Sequence, residues 1–169
     1  MTVADLVRFR YWLFDRGDNL AGGIYGTILV TSIVAAADSS QTIWLSLGIV
    51  EVTMIVFWLA HVYAGALARS IDASETFSRR EIRDVAGHEW PLLQAAVVPS
   101  VALLAGGVGL IGTQTAYWIA IAYGVGALIW WGLLFARKAK LGLGATMAVV
   151  LINAWFGLVI VVLKEFVSH

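Results

Sequence analysis

The sequence predicts an all-α membrane protein, a single bundle of five transmembrane helices with its N-terminus in the cytoplasm and its C-terminus outside. The first observation behind this prediction is composition. Hydrophobic residues make up 60% of the 169 residues and charged residues only 13%, and the mean hydropathy is +0.86. These values lie outside the range of soluble domains. The chain therefore requires a lipid bilayer as its partner.

The second observation is the distribution of basic residues, because ten of the eleven Lys and Arg residues fall in three short segments. The connections around 38–42 and 112–115 contain neither residue. Cytoplasmic loops of membrane proteins are enriched in Lys and Arg, so this alternation predicts a cytoplasmic N-terminus and a protein of the cytoplasmic (inner or plasma) membrane. The clusters are Arg8, Arg10 and Arg16; Arg69, Arg79, Arg80 and Arg83; and Arg137, Lys138 and Lys140.

Each apolar stretch is long enough to cross about 30 Å of hydrocarbon, which takes about 20 helical residues. Backbone polar groups must be satisfied internally in lipid, so the stretches should be helices. The predicted spans are 20–37, 43–68, 92–111, 116–136 and 141–163. The cytoplasmic loop 69–90 is the only long connection, and Ser78-x-x-Glu81 fits a capping box that would start a short interfacial helix.

Glycines mark places where helices could approach closely. Gly22 and Gly26 form a GxxxG pair in span 1, a spacing that favours close helix packing in membranes. Two interpretations stay open for this pair: packing within one chain, or a homo-oligomeric interface, with a dimer favoured.

Several functions are excluded. The chain has no cysteine, so disulfides, thiolate metal sites and Cys nucleophiles are absent. It also lacks the motifs of covalent catalysis and phosphate binding. We therefore expect no enzyme and, given the charge arrangement, no nucleic-acid partner.

Polar residues inside the spans are the first candidate site, a transport path of Glu51, His61 and Asn153. Ionisable groups at membrane depth are costly and therefore often functional. Glu51 and His61 would lie about 15 Å apart along one helix, as two stations of a path. Alternatively, His61 bonds a neighbouring backbone or hydroxyl group, Glu51 is hydrogen-bonded or reaches a polar vestibule, and Asn153 bonds between helices.

A second candidate site combines Asp18, Glu89 and His61, with Asp15 and His88 nearby, at the cytoplasmic ends of the spans. Carboxylates with imidazole suit a divalent metal ion such as Fe²⁺, Mn²⁺ or Zn²⁺. The alternative is a group of solvated charges, in which Asp18 caps span 1.

The layout and two short motifs resemble the vacuolar iron transporter family. Phe14-Asp15-Arg16-Gly17-Asp18-Asn19-Leu20 is similar to its entry to span 1, and Pro91-Leu92-Leu93-Gln94-Ala95-Ala96 to its entry to span 3. The resemblance implies a homodimer that exchanges Fe²⁺ or Mn²⁺ for protons, with Asp18 as a metal ligand. The chain lacks the Glu-rich insertion of that family, and His61-Val62-Tyr63-Ala64-Gly65 replaces its span 2 signature.

Three functions follow from these features. The first is a proton-coupled divalent-cation transporter, which should place Glu51 and His61 in a shared polar cavity. The second is a non-transporting homo-oligomeric or accessory membrane subunit, in which each polar residue has a local partner. The third is a cation channel, which needs a continuous pore; Arg10-x-x-x-Phe14-Asp15 resembles the start of a lysosomal and bacterial potassium-channel family.

Overall fold

The computed structural model describes residues 19–37, 41–73 and 79–167, with side chains in 19–37, 41–69 and 79–162. These residues form six helices, which confirms the all-α fold. The helices are α1 (Leu20–Ala36), α2 (Ile43–Ala73), α3 (Arg79–His88), α4 (Trp90–Gly107), α5 (Thr113–Lys138) and α6 (Leu143–Val167). Four of them, α2, α4, α5 and α6, are long and apolar enough to cross a membrane, whereas α1 is an apolar helix of 17 residues.

Two predicted boundaries differ from the structure. Helix α2 continues to Ala73 rather than ending at 68, because no Gly or Pro follows Gly65 to stop the helix where its apolar pattern ends. Helix α4 begins earlier than predicted, with Pro91 in its first turn, and ends at Gly107 instead of 111. The backbone then turns at Gly109, whose φ of 80° lies in the left-handed region that favours glycine.

Helix α1 is the centre of the bundle, in contact with α2, α4, α5 and α6. Its small residues allow this close packing. A Cβ added at Gly26 would lie 2.6 Å from the Leu92 carbonyl oxygen in α4, and one at Gly23 would lie 2.7 Å from the Trp131 indole in α5. The first interpretation of the glycine pair is therefore correct at Gly26: it packs inside one chain, and its face of α1 is not available to a second copy.

Threonine hydroxyls on α1 are satisfied within the helix. Thr27 donates to the Gly23 carbonyl at 2.7 Å, and Thr31 donates to the Thr27 carbonyl at 2.6 Å. Thr27 also accepts a hydrogen bond of 3.3 Å from the Trp131 indole. Both threonines are fully buried. Their hydrogen bonds offset the free-energy cost of burying these hydroxyl groups.

The bundle has two chemically distinct ends. Asn19 at the start of α1 contacts Glu89 at the start of α4, and Trp44 near the start of α2 packs on Gly107 at the end of α4. The described basic clusters fall at the Asn19 end, which we call the basic end. It carries Arg69, Arg79, Arg80, Arg83, Arg137, Lys138 and Lys140. The first basic cluster lies outside the described residues.

Candidate functional site

His61 is half-buried on α2, where it bonds its own helix and contacts Tyr25 of α1 with the two rings tilted by 44°. Its Nδ1 lies 2.9 Å from the Phe57 carbonyl oxygen, and its ring centroid lies 5.4 Å from that of Tyr25. Because a carbonyl oxygen only accepts, Nδ1 carries a proton in this contact. The local bond matches the alternative in which His61 is satisfied by backbone.

Glu51 lies on an exposed flank of α2, about 100° round the helix from the buried Val50. Its neighbours Val50 and Met54 are buried, whereas Glu51 itself is exposed. Within the described part of the chain, its carboxyl group has no hydrogen-bond or ion-pair partner. Glu51 faces outward and His61 faces Tyr25, so the two residues do not meet in one cavity among the described residues.

Asn153 is buried at 8% exposure on α6. Its amide Nδ2 donates to the Val149 carbonyl at 3.0 Å, one turn earlier in the same helix. The side chain packs on α5, because a Cβ at Gly132 would lie 3.1 Å from Nδ2. Asn153 thus contributes shape at the α5–α6 contact, and its described hydrogen bond is within α6 instead of between helices.

Asn19 and Glu89 form the polar contact at the basic end. Asn19 Oδ1 accepts the Gly22 N–H at 2.8 Å, so Asn19 caps α1. Its Nδ2 donates to Glu89 Oε2 at 3.2 Å and to the His88 carbonyl at 3.4 Å. The interpretation that gave the cap to Asp18 is wrong, because the helix begins at Leu20 and the residue before it is Asn19.

The three predicted metal ligands are not assembled as a set in the described ranges. Asp18 lies outside the described residues. Elsewhere in the described chain, no group of three or more His, Cys, Asp or Glu side chains could hold a metal ion. Glu89 does reach Asn19, the residue next to Asp18, whereas His61 lies against Tyr25.

Aromatic residues join α2 to α3 and to α4. The Trp58 indole N–H donates to the Ala86 carbonyl at 3.3 Å, and its ring meets Trp90 edge-on at 6.4 Å. Val85 closes on α2 at Gly65, where a Cβ would lie 2.8 Å from its side chain. Among these, only Gly65 carries a sequence signal for close approach.

At the other end of the bundle, Ser46 on α2 and Tyr117 on α5 share a hydrogen bond of 2.6 Å between their hydroxyls. Both residues are buried. This contact fixes the depth of α2 relative to α5, and nothing in the residue pattern distinguishes it from ordinary span residues.

The chain matches no protein-family model, no curated protein and no solved structure. Its class follows from the fold itself. Four long apolar helices with exposed Leu, Ile, Val and Trp side chains are those of an α-helical membrane protein, whose surroundings are a lipid bilayer.

Proposed function

We propose that the chain is a non-transporting membrane subunit, which works by assembling with copies of itself or with other membrane chains. One observation carries this proposal: two of the three residues predicted to form a transport path each bond the backbone of their own helix. His61 bonds Phe57, and Asn153 bonds Val149. Groups that pass an ion between them need to face a common space, whereas groups bonded in this way serve packing.

Its orientation in the membrane belongs to the same proposal: five spans, the N-terminus in the cytoplasm and the C-terminus outside, in the inner or plasma membrane. The collection of the second and third basic clusters at one end of the bundle supports this orientation, since Lys and Arg favour the cytoplasmic side. Helix α1 would span the membrane in addition to the four long helices, and it would be packed among them.

Single cysteines test the orientation directly, because the chain has no cysteine of its own. Cysteines replacing Ser39 and Ser168 should react with a membrane-impermeant maleimide in intact cells, whereas one replacing Ser78 should react only after permeabilisation. Labelling at Ser78 together with protection at Ser39 would invert the orientation.

Metal response tests the proposed function. A ligand at 100 times its Kd stabilises a protein by about 2.7 kcal/mol, which raises the melting temperature of a chain of this size by several degrees. We expect no such shift with Fe²⁺, Mn²⁺ or Zn²⁺ for the purified protein in detergent. A shift that disappears in His61→Ala would instead establish a metal site and overturn the proposal.

The cation transporter is the second candidate, and one contact favours it. The Asn19–Glu89 hydrogen bond brings Glu89, one of the predicted metal ligands, to the residue that follows Asp18 in the sequence. This candidate requires a metal-induced rise in melting temperature that is lost in Glu89→Gln as well as in His61→Ala. Proton-coupled uptake of Mn²⁺ into liposomes would then complete the case.

A further inference from the structure

We propose that a second copy of this chain packs on the outward face of α2, with the two Glu51 carboxyl groups paired across the two-fold axis. The inference rests on the proposed function and specifies the assembly that it requires. The outward face consists of Gly48, Glu51, Val52, Ile55 and Leu59, which lie on one side of α2 and are all exposed.

Glu51 lies well inside the apolar segment of α2. It lies eight residues after Ile43 and eighteen before Arg69, or about 12 Å and about 27 Å along the helix axis. Both ends of this apolar segment are far enough away to hold Glu51 within the hydrocarbon. A carboxyl group facing lipid at that depth is costly, and the described part of the chain gives it no partner.

The chemistry of the carboxyl group points to a second copy. In its neutral form a carboxyl group both donates and accepts, so two of them satisfy each other as a pair. A two-fold axis brings the same residue of both copies together, which is the arrangement that such a pair needs. Between Ile43 and Ala68, α2 contains no Lys or Arg, so the facing helix supplies no cation.

Gly48 allows the α2 helix of a second copy to approach closely. It lies one turn before Glu51 on the same face, and no atom of the chain lies within 4 Å of the position of an added Cβ. A glycine at a helix crossing lets two backbones come close in lipid, which brings the short Glu51 side chains within reach of each other. Val52, Ile55 and Leu59 then pack beside the pair.

A matched pair of glycine variants tests the face. Gly48→Leu should weaken the dimer at least about tenfold, whereas Gly126→Leu should leave it unchanged. Gly126 is also a helical, exposed glycine with open space around its Cβ position, but it lies on α5. The dimer fraction is measured by single-molecule photobleaching of labelled protein at graded dilution in liposomes. A monomeric wild type, or equal behaviour of both variants, would overturn the inference.

Substitutions of Glu51 test the pairing chemistry. Glu51→Gln should keep the dimer, since an amide also donates and accepts, whereas Glu51→Ala should weaken it about tenfold. If Glu51→Gln is as weak as Glu51→Ala, the carboxyl group serves a cationic partner helix instead, and the self-paired dimer is wrong.

The dimer can be disproved without disproving the proposed function. All of these residues are exposed in the single chain, so none of the substitutions should destabilise the monomer. Metal response and Mn²⁺ uptake report on the proposed function without reference to the dimer. A monomer without metal response would leave an accessory subunit and remove only the second copy.

Discussion

Gly124→Leu should lower the free energy of unfolding by about 3 kcal/mol, the upper end of what overpacking usually costs. A Cβ at Gly124 on α5 would overlap the Thr31 hydroxyl of α1 and lie 2.7 Å from its methyl group. Thr31 is completely buried and its hydroxyl is bonded to the Thr27 carbonyl, so it has no free space to move into. The two helices would have to separate.

The loss should be measured by reversible unfolding in detergent micelles or bicelles. Gly126→Leu, two residues along the same helix but exposed with open space around it, is the control and should gain up to about 1 kcal/mol from helix propensity. Adding Thr31→Ala should recover part of the loss in Gly124→Leu. Equal stability of the two leucine variants would mean that α1 and α5 do not pack as described.

Gly26→Leu should cost a similar amount, about 3 kcal/mol, for a different reason. The two atoms nearest to an added Cβ are backbone: the Leu92 carbonyl oxygen at 2.6 Å and the Leu92 Cα at 3.0 Å. Backbone cannot change rotamer, so α1 must move away from α4. Unfolding measured at dilutions where the protein is monomeric should show the full effect.

Gly144→Leu is the control for Gly26→Leu, since Gly144 is exposed in the first turn of α6 and has nothing within 4 Å of its Cβ position. It should leave stability within about 0.5 kcal/mol of wild type. If Gly26→Leu instead dissociated an oligomer without destabilising the monomer, the GxxxG face of α1 would be an intermolecular one after all.

Much of the fold is readable from the sequence, because lipid imposes simple rules. Apolar length predicts the long helices, and α2, α4, α5 and α6 form near the predicted places. The position of Arg137 and of the Arg79–Arg83 cluster at one end of the bundle also follows from the alternation of charge. Helix ends were harder to predict: α2 passes position 68 because neither Gly nor Pro occurs in residues 69–73 to stop the helix where its apolar pattern ends.

The candidate site was less predictable, because the direction in which a side chain points depends on what covers its helix. Helix α2 is apolar almost all round, so its sequence does not distinguish the face that packs in the bundle from the face that meets lipid. The outward position of Glu51 could therefore not be predicted from periodicity. The His61–Phe57 bond was foreseeable as a local alternative, since it spans four residues. The Asn19–Glu89 contact joins residues 70 apart and needed the fold.

The enclosed position of α1 has a consequence for how the protein is inserted into the membrane and assembled. Among the described apolar helices, α1 comes first in the sequence and is also the shortest, and its threonines raise the cost of contact with lipid. Its best neighbours, α4 and α5, are synthesised many residues later. We therefore expect α1 to remain bound to the insertion machinery or at the membrane surface until α4 and α5 have been synthesised and can pack around it. Assembly of this bundle would then depend on its last helices more than on its first.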